Sequence, residues 1–114
     1  MADATLFNVE LLTAAGSTQT DAAGIPTRSS PALITAAGDD IVGIRLPPAT
    51  AGKVFVIKNT GTGGLTGTLR VYPATGDSIN ALGANVPLDM ASLSAAVFVA
   101  AGSTIWYTAP AVPS

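Results

Sequence analysis

This sequence predicts an all-β fold, either an antiparallel β-sandwich or a small, jelly-roll-like β-barrel, and three observations lead there. Short apolar runs rich in Val, Ile and Phe recur along the chain, as strands require. Turn chemistry built from Gly, Pro, Asp and Ser separates them. No segment carries the i, i+3, i+4 apolar spacing of a long amphipathic helix. With 114 residues and an apolar fraction of 48%, the chain is long enough for one domain with its own core.

Residues 1–30 read as an extended N-terminal arm. Its first run, Leu6-Phe7-Asn8-Val9-Glu10-Leu11-Leu12, alternates so that Phe7, Val9 and Leu11 share one strand face, with Asn8 and Glu10 on the other. A short helix is the alternative, but Thr, Phe, Asn and Val are indifferent helix formers. Gly16-Ser17-Thr18-Gln19-Thr20-Asp21 and the Pro26 to Pro31 segment then predict loop or extended chain.

The β domain is expected over residues 31–109. Ala32-Leu33-Ile34-Thr35 leads into a Gly38-Asp39-Asp40 turn, and Ile41 to Leu46 follows with Val42, Ile44 and Leu46 on one face. Pro47-Pro48 removes two ladder donors and stops that strand. Lys53 to Lys58 is the most apolar strand, with Phe55 and Ile57 opposite Val54 and Val56, so it is expected in the centre, buried on both sides or between the core and a neighbouring subunit. Asn59 to Gly67 holds four glycines and predicts a hairpin loop returning to Thr68-Leu69-Arg70-Val71-Tyr72. After the Pro73 to Gly76 turn the pattern loosens until about Leu93. Ser94 to Ala100 and Thr104 to Thr108 then make a terminal hairpin about Ala101-Gly102-Ser103, and residues 110–114 form a tail.

Composition removes most chemistry. With no Cys and no His, thiol catalysis, disulfides and the commonest general base and metal ligand are all missing. No Lys lies near a serine in sequence, so a Ser–Lys pair has no local support. Asp39 and Asp40, adjacent in an extended segment, point apart, and their ordinary role is a turn. Asp77 with Asn80 lacks the carboxylate density of a Ca²⁺ loop and reads as a turn after Gly76. Gly61 to Gly67 lacks the Lys and the helix of a phosphate loop. No catalytic residue, cofactor or metal is therefore expected.

Charged residues are 11% of the chain against roughly 25% in an average soluble domain. Gly, Pro, Ser and Thr interrupt every apolar run before the roughly 18–20 residues a spanning helix needs, so no membrane is expected. Met1-Ala2-Asp3-Ala4-Thr5 has no basic region of the kind a secretory leader carries. Arg28, Arg45, Lys53, Lys58 and Arg70 are scattered and the net charge is −2, so no nucleic acid is expected either. An ordinary low-charge monomer fits these numbers, but a surface of Ala, Thr, Ser and Gly also costs little to desolvate against a partner. Trp106 and Tyr107 are neighbours on a strand and face opposite ways, which predicts one ring in the core and the other at a contact or, less simply, on a ligand.

Three pieces of the chain carry a resemblance. They are Ala51-Gly52-Lys53-Val54-Phe55-Val56-Ile57-Lys58-Asn59-Thr60-Gly61, then Val71-Tyr72-Pro73-Ala74-Thr75-Gly76-Asp77-Ser78-Ile79-Asn80, then Trp106-Tyr107. In this order they resemble small virion structural proteins of tailed bacteriophages, over about residues 45 to 108. Ala81 departs from the Gly that commonly follows Ile-Asn there. The resemblance implies a capsid decoration (cement) protein on the outer capsid surface of the virion, a homotrimer bound to the major capsid protein. It implies no catalytic residues. Leu6, Phe7, Val9, Leu11 and Leu12, with Trp106 and Tyr107, are the expected capsid or oligomer contacts. A head-fibre or tail-associated module is the alternative, and a small carbohydrate-binding sandwich using Trp106 or Tyr107 a third reading.

Overall fold

The computed structural model describes residues 8–25, 32–37, 41–61 and 67–110, which hold ten strands and no helix. In chain order the first six are β1 (Asn8–Thr13), β2 (Ala23–Gly24), β3 (Ala32–Ala37), β4 (Ile41–Arg45), β5 (Val54–Asn59) and β6 (Thr68–Tyr72). They are followed by β7 (Ser78–Ile79), β8 (Leu88–Met90), β9 (Ala95–Ala100) and β10 (Ile105–Ala109). One sheet has six strands in the order β1-β3-β5-β9-β10-β7, and the other has four in the order β2-β4-β6-β8.

From β1 to β6 the chain alternates between the two sheets, so each strand pairs with the strand two places away. Those pairs are all parallel: β1 with β3, β3 with β5, β2 with β4, and β4 with β6. The winding is solenoid-like. Only in the second half does the chain reverse, giving antiparallel β5–β9, β9–β10 and β6–β8 pairs. The antiparallel pairing expected throughout is thus corrected for the first half, where each connection crosses to the other sheet.

The Asn59 to Gly67 segment shows why. It was expected to be a hairpin, yet β5 and β6 lie in different sheets. Asn59, wholly buried, anchors the crossing: its Nδ2 donates to the carbonyls of Gly67, Met90 and Ala91 at 3.1–3.2 Å, and its Oδ1 accepts the Gly61 N–H at 3.0 Å. One side chain so satisfies backbone that neither sheet can reach. Within the expected arm, residues 8–25 supply the first strand of each sheet. The expected Gly38-Asp39-Asp40 turn lies outside the described residues, as do Leu6 and Phe7.

Both sheets turn one apolar face to a shared core. Ile34, Phe55, Ile57, Phe98 and Trp106 come from the larger sheet, and Ile44, Leu69, Val71 and Met90 from the smaller. Phe55 and Trp106 lie with ring centroids 5.7 Å apart at 32°. Burying each large side chain contributes roughly 1.5–3 kcal/mol. The Trp106 indole N–H finds no hydrogen-bond partner among the described residues, so packing alone holds the ring.

Local chemistry sets the ends. Leu46 N–H still donates to Tyr72 O at 2.8 Å, and then Pro47 ends the β4 ladder. Asp77 caps the following segment: its Oδ2 accepts the Ala49 N–H at 2.9 Å, a longer reach than the local turn role its sequence context predicts. The expected terminal hairpin is present, with Val97 opposite Ala109 and Tyr107 opposite Val99.

Candidate interaction face

Among the described residues no cluster of acidic, His or Cys side chains could hold a metal. An open groove of about 440 Å³ has Gly24, Ile25, Arg45, Leu46, Pro47 and Thr75 among its walls. Its one charged group is already used, since Arg45 Nη1 donates to the carbonyls of Gln19, Thr20 and Ala22 at 2.9–3.3 Å. Its one hydroxyl, Thr75, has no carboxylate, His or Lys beside it among the lining residues to act as a base.

The outward face of the six-stranded sheet is the unusual surface. Register places Val9, Leu33, Val56, Val97 and Ala109 in one row across five strands. Beside it lies Leu11-Thr35-Lys58-Ala95, and on the other side Val54-Val99-Tyr107. Val9 is 63% exposed, Leu11 80% and Tyr107 50%. The single charge, Lys58, donates its Nζ to Leu93 O at 2.6 Å and so is held at the strand's end. A sheet with one face on the core normally alternates to polar residues on the other. Here both faces are apolar. Strand spacing and rise make the patch roughly 20 by 20 Å, about 400 Å² in projection, within the size range of the largest apolar patch on an ordinary monomer, which is often functional.

The four-stranded sheet is finished differently. Its outward row Gly43-Arg70-Asp89 carries a bidentate ion pair, Arg70 Nε to Asp89 Oδ1 at 2.8 Å and Nη2 to Oδ2 at 3.1 Å. These bonds raise the Arg70 guanidinium above its already high range. The Tyr72 ring lies over Gly43, so close that a Cβ there would sit 2.8 Å from Cε2. Residues 14–22 are tied down over this face. Ala15 N–H donates to Gly43 O at 3.0 Å, Tyr72 Oη to Ser17 O at 3.0 Å and Gln19 Nε2 to Pro73 O at 2.7 Å. Asp21 holds the loop's shape: the Thr18 hydroxyl and amide and the Ser17 amide all donate to its Oδ1, lowering its pKa below the usual 3.8.

Of the contacts expected from sequence, Val9, Leu11 and Tyr107 meet on the bare face. Leu12 points the other way and packs against the core. Trp106 is wholly buried within the chain and has no surface to offer a partner, which corrects its place among the contacts. Leu33, Val54, Val56, Val97 and Val99 were missed. Their signal was present, because the strand from Val54 is apolar at every position but its last two, and its pattern fits burial on both sides as well as a place between the core and a neighbouring subunit, without naming these residues as contacts.

No family model, curated protein or solved structure matches the chain.

Proposed function

We propose that this chain is a structural, non-enzymatic protein of a phage particle, a capsid decoration (cement) protein that seats its bare apolar face on neighbouring chains at the outer surface of the head. The observation that carries this reading is that face: a mainly apolar surface over five strands, with Thr35 and one tethered charge, Lys58, as its polar members. The likeness of Val71 to Asn80 and of Ala51 to Gly61 to phage virion segments names the kind of particle, the major capsid protein as partner and a homotrimer as the assembly. We read the two sheets as a β-sandwich whose first half winds as a solenoid, in place of a jelly roll.

The mechanism is mass action. A protein that binds only the mature shell stabilises it by RT ln(1 + [L]/Kd), and many copies each with several contacts gain further through effective concentration. A charge-poor face costs little to desolvate, which favours long-lived attachment. Arg70 is neutralised by Asp89, and a net charge of −2 with its five basic residues scattered leaves little positive field for nucleic acid.

The test is the copy number of this chain relative to the major capsid protein in purified heads. Hundreds of copies in a simple ratio are expected; a handful would move the protein to a fibre or tail, and none would end the reading. The carbohydrate-binding alternative needs an exposed ring beside polar groups. Tyr107 is exposed, but its cross-strand neighbour is Val99, with Val54 beyond it, so glycan arrays are expected to stay silent.

A further inference from the structure

The edges of the two sheets are not alike. An edge strand offers unpaired N–H and C=O groups to any passing strand, and proteins guard against this with short edges, charge, Pro or a bulge. β7 and β2 have two residues each, and β8 has three, one of them Asp89. Beyond β7, the Asn80 side chain finishes the edge of β10: its Oδ1 accepts the Thr108 N–H at 3.0 Å and its Nδ2 donates to Thr108 Oγ1 at 2.9 Å.

Of these guards β1 has only the single charge of Glu10. It runs six residues without Pro or Lys, pairs with β3 in unbroken register, and has no strand on its outer side among the described residues. Val9 and Leu11 stand exposed along it.

We infer that β1 is a self-pairing edge: two copies of this chain join their six-stranded sheets through antiparallel β1–β1 contact about a two-fold axis. Parity and charge choose the register. Opposed residues must share a face, so the axis passes through either Leu11 or Glu10. The Glu10 register sets like charges directly opposite, which is unfavourable. The Leu11 register sets Leu11 against Leu11, Val9 against Thr13 and Glu10 against Leu12, with no like charges opposed. The occupant is therefore a second copy of the same strand, whose charge pattern fits itself when centred on Leu11. With the axis perpendicular to the sheet, both bare faces look the same way and merge into one surface of twice the width. The contact is isologous and produces assemblies with an even number of chains, so the homotrimer proposed above would here be one half of a hexamer, two trimers joined through β1.

The pairing rests on β1 and not on the capsid reading, and separate measurements test the two. The chain has no cysteine, so one introduced thiol reports its own neighbours. Directly opposed antiparallel residues have Cα atoms roughly 4.5–5.5 Å apart, inside disulfide range. Leu11→Cys is expected to give a covalent dimer on mild oxidation, whereas Val99→Cys, in the middle of the bare face, stays uncross-linked. Light scattering is expected to show an even-numbered species for the parent chain, and Leu11→Lys, at a site already in solvent, to halve its mass with unchanged circular dichroism. A monomeric or trimeric parent would overturn the inference. So would cross-linking through Val99→Cys in place of Leu11→Cys, which would mean face-to-face packing. A monomer that binds purified heads only while Leu11 is intact would assign the edge to a capsid strand and equally overturn self-pairing.

Discussion

The two outward faces of this protein solve opposite problems with the same pleat. On the four-stranded sheet, Arg70 pairs with Asp89, Tyr72 covers Gly43, and residues 14–22 are bonded across the top. On the six-stranded sheet the equivalent positions are mostly Val, Leu, Ala and Tyr, with Thr35 and Lys58 among them, and Val9, Leu11, Val99 and Tyr107 stand exposed. One face is covered by the chain's own side chains and loop; the other keeps large apolar side chains in solvent. The lesson is that a second apolar face on a sheet is information about partners, once the first has been assigned to the core.

The sharpest way to break this contrast is to wedge the finished face open. Gly43→Val forces Tyr72 and Ala22 aside, because even a Cβ meets them at 2.8 and 3.2 Å. It is expected to cost about 2–3 kcal/mol in urea denaturation, as overpacking does. Val99→Lys on the bare face is expected to change stability by no more than about 0.5 kcal/mol. It is also expected to lower occupancy on heads more than tenfold in a sedimentation assay. If both variants unfold the protein alike, the two faces are not different in kind.

Smaller changes sharpen the same contrast. Tyr72→Phe removes the bond to Ser17 O and is expected to cost about 0.5–1.5 kcal/mol, with head binding untouched. Thr18→Ala is expected to let the Asp21 pKa rise back towards 3.8, followed by NMR titration, because the Thr18 hydroxyl is the largest cause of its lowering. The sign follows from that direction. A carboxylate with a depressed folded pKa adds stability that is complete above 3.8 and lost as pH falls through the lower folded value.

Much of the local structure was legible in the sequence. Thr68 to Tyr72 is a strand over the residues its pattern predicts, and those from Ile41, Lys53, Ser94 and Thr104 shift by only a residue or so at an end. Alternation reports which side chains share a face, and that was enough. It does not report which strand lies alongside. A Gly- and Thr-rich stretch such as Asn59 to Gly67 suits a hairpin and a crossing equally, and the buried contacts of Asn59 that decide the matter span three separate parts of the chain. β8 was missed because Leu88-Asp89-Met90 is too short to show a period. For the candidate site, Val9, Leu11 and Tyr107 were within reach of pattern reading, whereas the rows that join them exist only through the register of parallel and antiparallel pairs between strands distant in sequence.

Only one pair of consecutive strands in the described chain is hydrogen-bonded together, β9 with β10. Every other pairing must first close a long loop, and that entropy slows folding. β9 and β10 are thus the first strands with a near neighbour, and the expected order of assembly runs from them, β5 docking on β9, then β3, then β1. Native-state amide exchange is expected to follow this order, slowest in β9 and β10 and fastest in β1. The later strands of this domain are therefore expected to become protected before the earlier ones.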